Sequence, residues 1–373
     1  MDAILTPRKM QSDKNKAGRK ARQYKGEKLA KTTLNRATRK DVAREAGTSV
    51  AVVSYVINKG PRPVAEATRL RVLEAVKKTG YRPNSVARAL ASGTSKTYGL
   101  VVPNISNNFI ASFAHALQQE ALSNGMVMLL GDAGDSRKRE LELINTLLSQ
   151  QVDGLFYNSV DRHPYIDIIQ ATGTPLVMLD RVDPALKVNI LRVDEHEAAH
   201  QVTSHLLSHG YKDVGIICGP LERLNTQDRL AGWRQALAEF GVTERPEWIF
   251  PTSYTREGGF EAAERMLKNA SLPRALFATN ETQAIGCIRA LAEHNISVPE
   301  QIALVCFNGT EQSAFHVPSL TTVRQPVEKM AKRAIAMLSV PEGEAQLSEF
   351  AHQLEIGESC GCVFGDREKR RKI

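Results

Sequence analysis

Between residues 196 and 209 the 373-residue chain carries four histidines in two pairs, each pair spaced four residues apart. The first pair encloses a glutamate, His196-Glu197-Ala198-Ala199-His200. In this spacing two imidazoles share one helix face and can hold zinc, while the carboxylate between them serves as general base. Such a centre needs a third protein ligand and an open coordination position. Neither the Gly-x-x-His continuation of the metzincins nor a glutamate-bearing partner helix follows, so a zinc metallohydrolase is only a remote alternative. His205 and His209 repeat the spacing and could share a surface ion. Cys360-Gly361-Cys362 is not a usual zinc spacing and has no second cysteine pair to complete it. The chain also lacks a P-loop, a Gly-x-Gly-x-x-Gly after a strand, and a nucleophile elbow. The expectation is therefore a protein that is not an enzyme, with no catalytic residue, no metal and no cofactor.

A different chemistry is written into residues 38–92. Thr38-Arg39-Lys40-Asp41 has the Ser/Thr-x-x-acid spacing of a helix start, and Val42, Ala43 and Ala46 give that helix one small apolar face. Gly47 can take the left-handed conformation of a tight turn, and Ser49 can cap a second helix running to about Asn58. Helix, short turn, helix is the helix-turn-helix pattern. In the second helix Val53, Val56 and Ile57 fall at i, i+3, i+4 and should pack inward, leaving Val50, Ala51, Ser54 and Tyr55 outward. Val and Ala can touch thymine methyls in a major groove, and a tyrosine hydroxyl can bond a base or a phosphate. A third helix, about 65–79, carries Leu70, Val72, Leu73 and Val76 and should complete the small core before Gly80 and Pro83 stop it. The run 84–91 forms barely two turns of good helix formers. A helix that short is marginal alone, so it is a candidate for folding when docked, with Leu90 as an apolar wedge between base steps of a minor groove.

The run Asp41-Val42-Ala43-x-x-Ala46-Gly47-x-Ser49, with Val53-Ser54, Asn58, Thr68-Arg69, Gly80-Tyr81-x-Pro83-Asn84 and Ala87-x-x-Leu90, resembles the head of the LacI/GalR family of transcriptional regulators. The resemblance implies that Ser49, Ser54 and Asn58 hold phosphates, that Val50, Ala51 and Tyr55 read bases, and that Asn84, Ala87 and Leu90 belong to a DNA-contacting hinge. Ala65 departs from the family's usual serine cap, and Gly60-Pro61-Arg62-Pro63 lengthens the preceding loop.

Charge divides the chain at the same place. Residues 1–92 hold 22 Lys+Arg against 7 Asp+Glu, whereas residues 93–373 hold 27 against 34. A basic front on an acidic body suits a nucleic-acid-binding head on a separate domain. Residues 1–37 carry 11 basic and 3 acidic side chains with almost no apolar periodicity and read as a disordered arm. No apolar run reaches the length of a signal core or a membrane span, which points to a cytoplasmic protein. Cys218, Cys287 and Cys306 sit in apolar runs and read as small buried hydrophobes.

From residue 98 onward short apolar strands (98–103, 127–130, 154–157, 175–179, 190–193, then 214–218, 248–250, 275–278, 303–307) alternate with helical segments. The fold class is α/β: a small all-α helix-turn-helix domain, then two lobes built on parallel sheets with a ligand between them at the strands' carboxyl ends. Pro103-x-Ile105-Ser106-Asn107-x-Phe109, Val152-Asp153-Gly154-Leu155, Gly219-Pro220, Arg229-Leu230-Ala231-Gly232-Trp233, Phe277-Ala278-Thr279-Asn280 and Leu320-Thr321-Thr322-Val323-x-Gln325-Pro326 resemble the effector domain of the same family, itself similar to periplasmic sugar-binding proteins. That likeness implies a cleft lined by Phe109, Asp180, Arg223, Arg229, Tyr254, Asn280, Asn308 and Gln325. Asn308 stands where family members often have an acid, and Glu281 where an aspartate follows the Asn280 position. It also makes the segment holding His196 and His200 an ordinary helix.

The expected organisation is a basic arm over 1–37, the helix-turn-helix domain over 38–83, hinge and linker over 84–97, the two-lobed effector-binding and dimerisation domain over 98–360, and a basic tail over 361–373. The first lobe should comprise about 98–194 plus 325–340, and the second about 195–320 plus the C-terminal strand. The resemblance implies a homodimeric repressor on a pseudo-palindromic double-stranded operator, controlled by a sugar or a nucleoside- or purine-like effector. The alternatives are an activator, or a ligand-binding module without a repressor role.

Overall fold

The computed structural model describes residues 37–58, 62–84, 89, 92–179, 182, 186–340 and 344–362. Residues 1–36 of the expected arm, Ala87 and Leu90 of the hinge, Asp180, and residues 363–373 of the tail lie outside the described residues. The chain divides into two compact units, 1–83 and 84–373.

In the first unit, α1 (Arg39–Glu45) opens with a reciprocal cap. Thr38 Oγ1 accepts from Asp41 N, and Asp41 Oδ2 accepts from Thr38 N at 2.9 Å. The backbone amide and then the hydroxyl of Thr38 hold the Asp41 carboxyl below its ordinary value of 3.8. Gly47 sits at φ +59, and Thr48 N bonds back to Ala43 O at 3.0 Å, closing the turn. Ser49 Oγ then accepts from Val52 N at 3.3 Å at the start of α2 (Val50–Asn58). Helix α3 (Glu66–Thr79) has no side-chain cap at Ala65 and ends on left-handed Gly80. The core of this unit is Val42, Ala43, Ala46, Val53, Val72, Ala75 and Tyr81, with Val56, Ile57 and Val76 packed against it.

Leu70 and Leu73 are not part of this core. They are 56% and 37% exposed. The buried positions of α3 are 72, 75 and 76, one stripe at i, i+3, i+4, and Leu70 and Leu73 pair at i, i+3 on another face. Alanine at 75 was the small inward residue that apolar counting passed over.

The second unit contains two six-stranded sheets. The first is built from β1 (Thr97–Val102), β2 (Val127–Asp132), β3 (Gly154–Tyr157), β4 (Leu176–Met178), β5 (Asn189–Val193) and β11 (Leu347–Phe350), in the order β11-β5-β4-β3-β1-β2 and parallel throughout. The second joins β6 (Val214–Cys218), β7 (Ile249–Pro251), β8 (Ala275–Ala278), β9 (Ala303–Phe307), β10 (Thr321–Arg324) and β12 (Gln353–Glu355), in the order β12-β10-β9-β8-β6-β7, with β12 antiparallel. β3, β6, β8 and β9 are buried along their whole length, as strands covered by helices on both faces must be. Edge strand β2 instead leaves Val127, Leu129 and Leu130 exposed.

The helices of this unit are α4 (Asn108–Ser123), α5 (Arg137–Ser149), α6 (Ile166–Gln170), α7 (Glu195–Ser208), α8 (Leu224–Glu239), α9 (Arg256–Met266), α10 (Glu281–Glu293) and α11 (Val327–Met337). The chain passes between the two lobes three times: from β5 into α7, from β10 into α11, which packs on α4 of the first lobe, and from β11 to β12. β10, β11 and β12 were not among the strands read from hydrophobic runs. Each is short and carries Thr, Ser, Arg or Glu in place of an apolar run.

Candidate functional site

In the first unit α2 turns Val53 inward at 0% exposure, and this fixes which side chains face out. Val50 and Ala51 are exposed at the start of α2, and Ser54 and Tyr55 are half-buried. Asn58 is exposed and donates from Nδ2 to Ser54 Oγ at 3.2 Å. The guanidinium of Arg62 lies 5.9 Å from the Tyr55 ring centre, so a cation stands beside this face. Ser49, Val50, Ala51, Ser54, Tyr55 and Asn58 thus lie on or beside one short helix that carries methyls, hydroxyls and an amide. Asn84 is exposed at the start of the second unit.

In the second unit a cleft opens between the lobes at the carboxyl ends of the strands, where ligands of open α/β sheets bind. Seven of the eight residues expected there line it: Phe109, Arg223, Arg229, Tyr254, Asn280, Asn308 and Gln325. The eighth, Asp180, lies outside the described residues. Every strand from β1 to β10 is followed by a lining residue. Phe109 comes after β1, Asp135 after β2, Asn158 after β3, Leu179 after β4 and Glu195 after β5; Arg223, Tyr254, Asn280, Asn308 and Gln325 follow β6 to β10 in turn.

Arg229 is the electrostatic centre. It is 3% exposed, donates from Nε to Glu195 Oε2 and from Nη1 to Thr279 O at 2.6 Å, and lies 4.1 Å over the Phe307 ring. A guanidinium so enclosed needs its carboxylate, since an unpaired buried charge is costly. Arg223 reaches across the cleft to Asp135 of the first lobe, Nη2 to Oδ1 at 2.9 Å. The Tyr254 hydroxyl shares a 2.7 Å bond with Thr226 Oγ1, and burial raises its pKa. Asn280 caps α10, accepting from Gln283 N at 2.7 Å, so its amide is already oriented. Asn308 holds left-handed φ +61, which asparagine tolerates, and its Oδ1 accepts from Gln325 Nε2.

Glu281 is not a lining residue. It is 2% exposed and accepts from Thr310 N at 3.1 Å, from the Thr310 and Ser313 hydroxyls, and from Asn108 Nδ2 of the first lobe at 3.0 Å. Asn108 Nδ2 also bonds Gln312 Oε1, and its Oδ1 accepts from Arg256. Residue 281 therefore belongs to a clasp between the lobes. Asp135, Asn158, Glu195 and Asn225 were missed in the cleft. Their available signal was position: each lies shortly after a strand's carboxyl end.

The zinc-protease spacing lies on α7 with its helix face already engaged. His200 Nε2 and Glu239 Oε2 of α8 are 2.7 Å apart, and a Cβ at Gly232 would stand 2.2 Å from His196 O, so α8 packs directly on this stretch. Among the described residues, no third candidate ligand joins His196 and His200. Cys218, Cys287 and Cys306 are buried, and burial pushes the thiols of Cys218 and Cys287 up to about 11 and about 12, and that of Cys306 further up.

Residues 38–84 match the bacterial regulatory proteins of the lacI family, and residues 203–359 match a periplasmic binding protein-like domain. The chain is 30% identical over 325 residues to catabolite control protein A of Priestia megaterium, covering 86% of this chain and 98% of that protein. It is 31% identical over 304 residues to the HTH-type transcriptional repressor PurR of Pasteurella multocida (strain Pm70), covering 81% and 91%. Among solved structures, the lac repressor dimer bound to operator and the anti-inducer ONPF matches with a TM-score of 0.76 at 25% identity, covering 87% of this chain and 99% of that one. The transcriptional regulator CelR in complex with cellobiose matches with a TM-score of 0.65 at 27% identity, covering 87% and 100%. These relatives are regulators, and they are matched along nearly their whole length by a helix-turn-helix head followed by a two-lobed domain. The chain belongs to the LacI family of DNA-binding transcriptional regulators, with an effector-binding domain behind its DNA-binding head.

Proposed function

We propose that this regulator is a cytoplasmic homodimeric repressor. It binds a pseudo-palindromic operator through Ser49, Val50, Ala51, Ser54, Tyr55 and Asn58 of each head and through the hinge residues Asn84, Ala87 and Leu90. Its effector is a neutral, hydroxyl-rich sugar held by Phe109, Arg223, Arg229, Tyr254, Asn280, Asn308 and Gln325, with Asp180 as a further contact.

The observation that carries the effector reading is charge balance in the cleft. Arg229 is matched by Glu195 and Arg223 by Asp135, so neither cation is set aside for a phosphate. Amides at 280, 308 and 325 suit hydroxyls, and Phe109 offers an aromatic face. The near-parallel rings of Phe109 and Phe113, 6.5 Å apart, favour a flat purine as the second reading. Among the regulators similar to this chain, CelR was solved with the neutral sugar cellobiose.

Thermal shift and calorimetry against neutral mono- and disaccharides, purine bases and phosphorylated sugars test the reading. Binding confined to phosphorylated sugars would sink it, and binding confined to bases would establish the second. Homodimerisation is supported by the exposed apolar residues Val127, Leu129 and Leu130 on β2 with Leu122 at the end of α4. Leu90→Ala should weaken operator binding and bending while sparing effector binding, measured by anisotropy on a selected operator duplex. Unchanged operator affinity would remove the hinge from the mechanism.

A further inference from the structure

His205 lies in the last turn of α7 and His209 is that helix's C-terminal cap, one turn further on. Some 150 residues later the chain returns to the same place. Cys360 and Cys362 flank Gly361, whose φ of +86 makes a left-handed turn, and a Cβ there would stand 2.6 Å from the Tyr211 hydroxyl. The four potential ligand atoms all lie within 4.8 Å of one another. His205 Nε2 and His209 Nε2 are 3.3 Å apart, and Cys362 Sγ is 3.7 Å from the first and 3.3 Å from the second.

We propose that His205, His209, Cys360 and Cys362 form a four-ligand zinc site that ties the segment after β12 to the C-terminal turn of α7.

The distances are those of a coordination polyhedron. With Zn–N near 2.05 Å and Zn–S near 2.3 Å, the edges of a tetrahedron are about 3.3 Å between nitrogens, about 3.6 Å between nitrogen and sulfur, and about 3.8 Å between sulfurs. The nitrogen–nitrogen edge and the two nitrogen–sulfur edges to Cys362 fall within about 0.3 Å of these values, and the three edges to Cys360 are all within 4.8 Å. The donor set is equally selective. Two thiolates and two imidazoles suit zinc and exclude hard cations such as calcium or magnesium, which take oxygen. Two thiolates neutralise the ion's charge, which suits a site with Cys360 fully buried, His205 and Cys362 half-buried and His209 exposed to admit the metal. Four protein ligands close the coordination sphere, so the ion holds structure and does not activate water. Sequence spacing concealed the site because the partner pair for Cys360-Gly361-Cys362 is a pair of histidines on a distant helix.

The full-length protein, purified without an affinity tag and kept in a non-thiol reductant, is stripped with a chelator and titrated with Co(II) and then with Zn(II). One equivalent of cobalt is expected to give thiolate charge-transfer absorption and the intense visible bands of a tetrahedral ion, and zinc to bleach both. Cys362→Ser should reduce the thiolate charge-transfer absorption, His209→Ala should keep that absorption while altering the visible bands, and each should weaken zinc binding by more than about tenfold, since losing a group that merely orients a ligand already costs that much. His196→Ala with His200→Ala should leave the titration unchanged. His209 is exposed, so its variant keeps the test decisive should Cys362→Ser fail to fold, with circular dichroism as the check. A weak octahedral cobalt spectrum, zinc affinity unchanged in His209→Ala, or a signal that disappears with His196 and His200 overturns the site.

Discussion

Arg229 is 3% exposed, and its energetics follow from that enclosure. Removing the guanidinium leaves the Glu195 carboxylate, whose side chain is 12% exposed, without its counter-charge. Breaking a buried pair from one side costs about 3 kcal/mol or more. Arg229→Leu is therefore expected to lower unfolding stability by roughly that amount in urea titrations. Adding Glu195→Gln should restore most of the loss, because the uncompensated charge is then gone. A purely additive double variant would show that Arg229 acts through packing on Phe307 and not through the pair.

At the scale of the element, α1 shows how one cap organises a head. Thr38→Ala removes the hydroxyl that accepts from Asp41 N and is expected to cost about 1 kcal/mol of head stability. The Asp41 carboxyl is held below its ordinary value by the Thr38 amide and hydroxyl. Its contribution is thus fully present above about pH 4 and is lost as pH falls through the lowered folded-state value. Thermal melts of the wild type should fall in that acid window, and those of Asp41→Asn should fall less steeply.

This helix and α2 were legible in the sequence because local rules decide them: a cap, a left-handed glycine and a 3.6-residue stripe. The parallel strands were legible as apolar runs bounded by turns. β10 and β11 were not, and β12 entered only as the C-terminal strand of the second lobe, since these strands owe their pairing to neighbours already in place and to side-chain bonds, not to hydrophobicity. The same reason hid Glu195 and Asp135. A charged residue after a strand is unremarkable until a cation from another element, Arg229 or Arg223, is brought to it. Glu281 directly follows the cleft-lining Asn280. The first turn of α10 carries it out of the cleft and into the clasp around Asn108.

For the whole molecule, one ion pair that joins the lobes lies within reach of solvent. Arg223 and Asp135 are 17% and 43% exposed at their side chains, a solvated pair worth under about 1 kcal/mol. Asp135→Asn is therefore expected to shift the balance between open and closed lobes by no more than about fivefold, read by single-molecule energy transfer between dyes on the two lobes. A much larger shift would mean that this bridge is a latch. The exposed side chains of β2 bear on the proposed homodimer. Leu130→Lys should turn dimers into monomers in sedimentation runs at micromolar protein, with the monomer retaining its melting transition. A variant still dimeric would move the subunit contact elsewhere.

The three passages of the chain between the lobes limit how much the effector can say. Two bodies joined once can swivel freely, but each added covalent tether removes degrees of freedom. After three tethers the remaining soft motion approaches a single hinge coordinate. Whatever enters the cleft can then only advance or retard that one coordinate. Two different small molecules cannot send independent messages to the DNA through it. They compete or reinforce along one axis, and the regulator behaves as a one-channel device whose output is a single graded number.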